Sequence, residues 1–212
     1  MLQLESGLAI LVPEADVLVG PFRDKYDPSA AAGMSAHITL LYPFKHPSEI
    51  NEHVTEQLKQ CFASFWAFDF SLSVIRRFAG GVLYLAPQPD EPFRRLTLAV
   101  WDCFPETPPY GGRYSRVVPH LTLAQLASEQ QADQVAIEFA QASRGQLPIC
   151  ATASEVALMD TLAGSWRLRT AIPLGECVAV DRDVTPRGGG FRSMTGFRRR
   201  RRGCWCRGQR SR

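Results

Sequence analysis

The stretch Ala36-His37-Ile38-Thr39-Leu40-Leu41-Tyr42-Pro43-Phe44 contains a short pattern that the chain repeats at Pro119-His120-Leu121-Thr122-Leu123. Because a β-strand sends alternate side chains to opposite faces, His37 and Thr39 point to one face and their apolar neighbours to the other. His120 and Thr122 repeat this arrangement. Each strand is therefore predicted to have an apolar face for a core and a second face that presents an imidazole and a hydroxyl about 7 Å apart.

Two such faces turned toward each other predict a cleft with two histidines and two threonines. Imidazole titrates near neutral pH, so one histidine can accept a proton while the other donates one, which suits acid-base chemistry on a phosphate. A single histidine on a strand is more often structural, and threonine is common in strands for packing reasons alone. Because the chain has four histidines and two of them fall in the repeated pattern, we favour the functional interpretation.

The paired His-hydrophobic-Thr motifs resemble those of the two-histidine (2H) phosphoesterase superfamily, and within it the 2′-5′ RNA ligases and cyclic nucleotide phosphodiesterases. The resemblance extends over residues 7–175, and the first motif continues into Leu41-Tyr42-Pro43-Phe44. It implies an α+β fold with two pseudo-symmetric lobes, two antiparallel sheets, helices outside, and the two histidine strands beside a central cleft. It is specific for the superfamily and leaves the substrate open.

The resemblance also implies a metal-independent enzyme without a cofactor, either a cyclic phosphodiesterase or a 2′-5′ RNA ligase. One of His37 and His120 would deprotonate the attacking water or 5′-hydroxyl, and the other would protonate the departing ribose oxygen. Which histidine has which role stays open. Thr39 and Thr122 would donate hydrogen bonds to the non-bridging phosphate oxygens. The expected substrates are RNA ends or small nucleotides that carry a 2′,3′-cyclic phosphate or a 2′-5′ linkage.

Five further side chains are candidates for contacts with the substrate. Tyr42 and Tyr84 could stack on a base, as aromatic rings do with single-stranded nucleic acid, although each could also belong to the core. Arg76, Arg113 and Arg116 could pair with phosphate, although an arginine in a loop or at a strand end is usually solvated.

Two other classes of protein remain open from the sequence. A non-catalytic module could bind RNA ends or nucleotides on the same fold. A structural or interaction protein could use the histidine strands for packing alone. Whether both imidazoles line one open cleft distinguishes this last class from the other two.

The order of the predicted elements repeats after about half of the domain. It reads β-α-β(His37)-α-β-β-α-β(His120)-α-β-β, which indicates an internal duplication. Within this order, Gly20-Pro21 is expected to kink or split the first helix. The next helix is expected to begin at Pro47 with Ser48 as its N-cap, and one strand is expected over 147–159.

The charge of the chain is unevenly distributed. The net charge of +3 combines 24 basic with 21 acidic residues, but 11 arginines and one acid lie from Arg182 onward, which leaves 13 basic and 20 acidic residues before it. We therefore expect a 2H phosphoesterase-like domain over residues 1–176 and a disordered Arg/Gly-rich tail over residues 177–212. The tail either tethers RNA or has no role. The acidic body favours small nucleotides or short ends over long RNA.

The cysteine and histidine spacings predict no metal site. The six cysteines do not form paired Cys-x-x-Cys motifs, and the four histidines include no i, i+4 pair. We expect the first four, at 61, 103, 150 and 177, to be reduced and mostly buried. The chain has no run of about 18 apolar residues and no basic segment before its first apolar run. These features predict a cytoplasmic protein without a membrane span, and we expect a monomer.

Overall fold

The computed structural model describes residues 4–114 and 116–175, which form five α-helices and one antiparallel sheet. The strands are β1 (Ser6–Leu11), β2 (His37–Leu41), β3 (Phe68–Phe78), β4 (Val82–Gln88), β5 (Leu121–Gln125), β6 (Ile149–Ala153), β7 (Glu155–Leu162) and β8 (Ser165–Pro173). The helices are α1 (Pro13–Tyr26), α2 (Pro28–Ala31), α3 (Glu52–Phe62), α4 (Glu91–Cys103) and α5 (Glu129–Ala142). The predicted tail over residues 177–212 lies outside the described residues.

The eight strands are hydrogen-bonded in the order β6-β3-β4-β5-β2-β1-β7-β8. The two histidine strands, β2 and β5, are central neighbours and pair antiparallel at Ile38 and Leu121. Strands β2-β1-β7-β8 form the His37 lobe, and β5-β4-β3-β6 form the His120 lobe. The expected bilobal α+β fold is therefore present. The expectation of two separate sheets is corrected, because β2 and β5 approach closely enough to pair and join the lobes into one sheet.

The two lobes repeat one topology around their histidine strands. In the His37 lobe, β1 lies beside the histidine strand and β7-β8 follow it, and in the His120 lobe β4 and then β3-β6 take the same places. The single strand expected over 147–159 is two strands separated at Ser154. Strand β6 pairs with β3, whereas β7 pairs with β1 and β8. Two strands are required here because β6 and β7 belong to different lobes.

The structure bears on the expectations for two helices. Helix α1 continues through Pro21 without a division. Pro47–Glu49 is a separate 3-10 turn whose N-cap is His46, and α3 begins only after Asn51, whose side chain accepts a hydrogen bond from the Val54 N–H at 3.1 Å. None of the helices within residues 4–114 and 116–175 combines the length and the apolar character needed to span a membrane.

The strand alternation in both motifs agrees with the prediction. The apolar motif neighbours Ile38, Leu40, Leu121 and Leu123 are at most 2% exposed and belong to the main core. Burial of each such side chain contributes about 1.5–3 kcal/mol, so the core anchors both strands. On the opposite face, the histidines and threonines of the motifs are only partly buried.

The cysteines do not all follow the expectation. Cys61 on α3 and Cys103 on α4 are free thiols, and burial together with a hydrogen bond to Cys103 raises the pKa of the Cys61 thiol. Cys150 is disulfide-bonded, so the expectation of a reduced thiol is wrong for this residue. The fourth cysteine, at position 177, lies outside the described residues.

Candidate active site

Both His-x-Thr motifs line one open cavity of about 430 Å³. His37 and Thr39 lie on β2, Thr122 lies on β5, and His120 immediately precedes β5. Because β2 and β5 are neighbours in the sheet, the four motif side chains enter the cavity from adjacent strands. Two imidazoles that face one cavity speak against the class of protein in which the histidine strands serve packing alone.

Each imidazole is held through its Nδ1 atom. The Nδ1 atom of His37 lies 2.8 Å from the Ser35 carbonyl oxygen, and that of His120 lies 2.7 Å from the Val118 carbonyl oxygen. A carbonyl oxygen only accepts hydrogen bonds, so Nδ1 carries the proton in both rings. In the neutral ring, Nε2 is then the proton acceptor. The duplication thus gives both histidines the same tautomer.

The surroundings favour the neutral form of both imidazoles in the unliganded protein. Burial lowers the pKa of His37 to about 4, and the charges of Arg23 and His120 act in the same direction. Burial also lowers the pKa of His120. An anion bound between the two rings would raise both pKa values, because a nearby negative charge favours the imidazolium form.

A buried ion pair fixes the loop that leads into β2. Arg23 and Asp27 are almost completely buried, and the Arg23 Nε atom lies 3.1 Å from an Asp27 carboxylate oxygen. Arg23 also donates to the Met34 carbonyl at 2.9 Å, and Asp27 accepts from the Ser29 N–H at 3.0 Å. Since these charges are paired and hydrogen-bonded, the loop is held in one position next to His37.

Tyr110 also lines the cavity, although the sequence did not identify it as a site residue. Its backbone has φ 54°, a left-handed conformation that is uncommon for a residue other than glycine, and its N–H donates to the Tyr42 carbonyl at 2.6 Å. Burial raises the pKa of Tyr110 to about 12, partly offset by a hydrogen bond with the Thr39 side chain. Backbone strain of this kind is often found at functional sites.

The structure separates the two candidate tyrosines. Tyr42 lines the cavity, and burial raises its pKa to about 12 together with a hydrogen bond to Glu5. Tyr84 is 4% exposed and is not among the described lining residues. It stacks on Phe78 with ring centroids 4.2 Å apart and contacts the edge of His120 at 5.4 Å. Tyr84 therefore packs against the His120 imidazole.

The three candidate arginines are dispersed. Arg113 lines a second hollow of about 510 Å³, which adjoins the cavity and shares Tyr42 and Tyr110 with it. Arg76 and Arg116 are exposed and are not among the described residues that line either hollow. Of the three, only Arg113 lines a hollow that adjoins the cavity of the motifs.

Apolar lining residues also escaped the sequence analysis. Met34, Met159 and Trp166 line the cavity from the loop before β2, from β7 and from β8, respectively. No short motif marks these three residues. The available signal was Gly7 and Ala9, which alternate with Leu8 and Ile10 in strand β1, because small residues at such positions indicate space or a close approach.

Most of the polar lining of the cavity is suited to an anion, and Glu5 is the one acidic side chain among the described lining residues. Within residues 4–114 and 116–175, no group of three His, Cys, Asp or Glu side chains is arranged to hold a metal ion. The hydroxyls of Thr39, Thr122 and Tyr110 and the two imidazoles can all donate hydrogen bonds to phosphate oxygens, provided that each imidazole carries a proton on Nε2.

Comparison with known proteins agrees with this geometry. A model of the 2′-5′ RNA ligase superfamily matches residues 11–165, a range that includes both motifs. No protein of curated function matches the chain significantly.

Solved structures share the fold at low sequence identity. LigT of E. coli in complex with 3′-AMP is 20% identical with a TM-score of 0.51, covering 81% of this chain and 98% of that chain. LigT in complex with NADP+ is 19% identical with a TM-score of 0.51, covering 81% and 97%. TT0787 of Thermus thermophilus is 14% identical with a TM-score of 0.56, covering 80% and 97%. From the family match and the shared fold, this chain belongs to the 2′-5′ RNA ligase superfamily of two-histidine phosphoesterases.

Proposed function

We propose that this protein is a metal-independent phosphoesterase that opens 2′,3′-cyclic phosphates on small nucleotides or RNA ends, with His37 and His120 as its acid-base pair. The observation that carries the proposal is the matched pair of imidazoles, both fixed at Nδ1 by a backbone carbonyl in one cavity. This arrangement leaves both Nε2 atoms for proton transfer.

The chemistry requires one neutral and one protonated imidazole. The neutral Nε2 accepts a proton from water while the water oxygen forms a bond to phosphorus. The bond between phosphorus and one ribose oxygen breaks, and the protonated Nε2 of the other histidine donates its proton to that oxygen. The product is a nucleoside phosphomonoester. In the ligase direction, a 5′-hydroxyl would take the place of water.

The hydroxyls of Thr39 and Thr122 would bind the non-bridging phosphate oxygens from opposite lobes. The negative charge on these oxygens increases in the pentavalent transition state. Preorganised donors therefore stabilise the transition state more than the ground state. Tyr110, next to Thr39, can add a third donor or orient the Thr39 hydroxyl.

A nucleotide is the substrate class that the cavity supports best. Its volume of about 430 Å³ falls within the range of roughly 300–1,000 Å³ that is typical of small-ligand sites. The structures of LigT with 3′-AMP and with NADP+ show nucleotides bound to a protein of the same fold. The excess of acidic residues before Arg182 also favours a small ligand over long RNA.

Turnover of 2′,3′-cyclic nucleotides by the purified protein, with and without a chelator, tests the proposal. We expect phosphomonoester formation at the same rate in both samples. Loss of turnover in the chelator would contradict a metal-independent reaction. Nucleotide binding without turnover would instead favour the non-catalytic binding module.

A further inference from the structure

The two lobes contribute unequally to the cavity. Among the described lining residues, strand β5 and the residue before it supply the polar side chains of His120, Thr122 and Gln125. The His37 lobe and its loops supply its own motif and nearly all of the apolar surface. Four of these residues, Ala9, Met34, Met159 and Trp166, are also packed against one another and form what we call the apolar shelf, in which Trp166 is partly exposed and the other three are at most 7% exposed.

The duplication shows why the shelf exists in one lobe. In the His37 lobe, the residue in register with Thr39 on the neighbouring strand is Ala9. In the His120 lobe, the residue in register with Thr122 on the neighbouring strand is Tyr84, whose ring stacks on Phe78. Equivalent positions therefore hold a methyl group in one lobe and an aromatic ring in the other. The space beside Thr39 is therefore open, whereas the Tyr84 ring fills the equivalent space beside Thr122.

The aromatic ring on the shelf is held in place. The Trp166 backbone N–H donates to the Ala32 carbonyl at 2.7 Å, which ties β8 to the loop before β2. The indole meets the Tyr42 ring edge to face, with centroids 6.1 Å apart. A fixed indole can stack on a ligand with little loss of side-chain entropy.

Polar groups near the shelf already have partners. The Ser29 hydroxyl donates to Asp27 at 2.8 Å and accepts from Arg23 at 3.2 Å. The Gln125 side-chain amide lies 3.4 Å from Asp27. The Glu5 side chain, which also lines the cavity, is hydrogen-bonded to Tyr42. A flat ligand on the shelf would therefore meet mainly the Trp166 ring and other apolar surface, with few unpaired polar groups to distinguish one base from another.

We propose that the apolar shelf is a nucleobase subsite, which places the base of the substrate on the His37 side of the cleft and accepts purines and pyrimidines alike. The inference rests on the proposed function, since it assumes that the phosphate lies between the two motifs. Stacking on Trp166, the partly exposed member of the shelf, supplies affinity that does not depend on base identity. Such a subsite would give a nucleotide a higher affinity than a simple sugar phosphate.

Equilibrium binding measured by calorimetry tests the subsite without requiring turnover. The probes are 3′-AMP, 3′-CMP and ribose 5-phosphate, which keeps a sugar and a phosphate but has no base. We expect both nucleotides to bind at least tenfold more tightly than ribose 5-phosphate and within about tenfold of each other. Equal affinity for all three probes would overturn the proposal.

Substitutions in the shelf test whether its residues cause the preference for nucleotides. Trp166→Ala should weaken nucleotide binding by about 5- to 100-fold and leave ribose 5-phosphate within threefold, since base stacking is lost. Trp166→Phe, which keeps a ring, should retain most of the affinity, and Ala9→Leu should exclude the base by filling the space beside Thr39. The matched control is Trp101→Ala, at an exposed tryptophan on α4, which should change neither ligand's affinity.

The outcomes separate this inference from the proposed function. An unchanged nucleotide affinity in both Trp166→Ala and Ala9→Leu, or an equal loss for ribose 5-phosphate, would overturn the subsite. A preserved preference for nucleotides over ribose 5-phosphate, in a protein that turns over no cyclic phosphate, would contradict only the catalytic proposal.

Discussion

His37 and His120 face one cavity, and each donates a hydrogen bond from Nδ1 to the backbone carbonyl two residues earlier in the chain. Both rings have the same tautomer because, in each copy of the motif, the histidine donates to the carbonyl that lies two residues before it. Both Nε2 atoms are consequently left for the ligand. The behaviour of this pair toward pH is the first property that the structure allows to be tested.

The rate should depend on pH as a bell with an acidic maximum. Burial lowers the pKa of His37 to about 4 and lowers the pKa of His120 from its ordinary 6.5, while the reaction needs one imidazole protonated and one neutral. We expect kcat/KM for a 2′,3′-cyclic nucleotide to be highest between about pH 4 and pH 6.5. The two apparent pKa values belong to the pair of rings. A pH-rate profile that still rises above pH 8 would contradict this assignment.

Stability should decrease as the pH falls through the same window. The pKa of His37 is lower in the folded than in the unfolded chain, so the unfolded chain binds more protons as the pH falls from about 6.5 to about 4. The stabilising contribution of neutral His37 is present above this window and is lost through it, by up to about 3 kcal/mol. Urea unfolding at pH 7 and pH 4.5 should show a smaller loss for His37→Gln than for wild type. His53→Gln, at an exposed position on α3, is the control and should lose as much as wild type. An identical loss in His37→Gln would refute the expectation.

The motif threonines should act through their hydroxyl groups. Thr39→Val and Thr122→Val keep the β-branched shape and remove the donor, so each should cost ~2 to 4 kcal/mol of transition-state stabilisation, by analogy with an oxyanion donor. Steady-state kinetics should show the loss mainly in kcat. Thr39→Ser and Thr122→Ser retain a hydroxyl and should stay close to wild type. Full activity in both valine variants would exclude the threonines from charge stabilisation.

Removal of residues 182–212 should separate small from large substrates. This segment carries 11 of the 24 basic residues, so its deletion should leave turnover of a small cyclic nucleotide nearly unchanged. If the segment tethers RNA, the slope of log affinity against log salt should become shallower by ~0.7 for each phosphate that the shortened chain no longer binds. An unchanged slope for RNA would leave the segment without a role in binding.

The parts of the fold that the sequence predicted are those with a clear strand period. The two motif strands and the hairpin of β3 and β4 follow from alternation and from Gly80-Gly81 at the turn. The sequence did not predict the division at Ser154, because no Gly or Pro marks it. The two strands belong to different lobes, but the periodicity of their side chains does not change between them. The local sequence pattern therefore identified the strands but not the neighbouring strands with which they pair.

The same limit applies to the site. The motifs predicted the facing imidazoles, since two copies of one face lie beside each other in the sheet. The sequence named Tyr84 as a residue that could stack on a base or belong to the core, and it could not show that the ring packs against Phe78 and His120. Tyr110 reaches the cavity through a left-handed turn, and Trp166 because its hairpin partner β7 pairs with β1, which is distant in sequence. Both depend on tertiary geometry that no short motif encodes.

The central claim is that the two histidines are the acid and the base of one reaction. His37→Ala and His120→Ala should each lower the rate by ~10²- to 10⁴-fold, which is the usual contribution of a positioned general acid or base. The double variant should be little slower than either single variant, because the two groups act as a unit. His53→Ala, at an exposed position on α3, is the matched control and should keep wild-type activity.

The most direct measurement is the turnover of a 2′,3′-cyclic nucleotide by purified His120→Ala protein that has the circular dichroism spectrum of the wild type. The proposed mechanism predicts a rate at least ~10²-fold below that of the wild type. Turnover near the wild-type rate would contradict it, even though the fold and the family would stand.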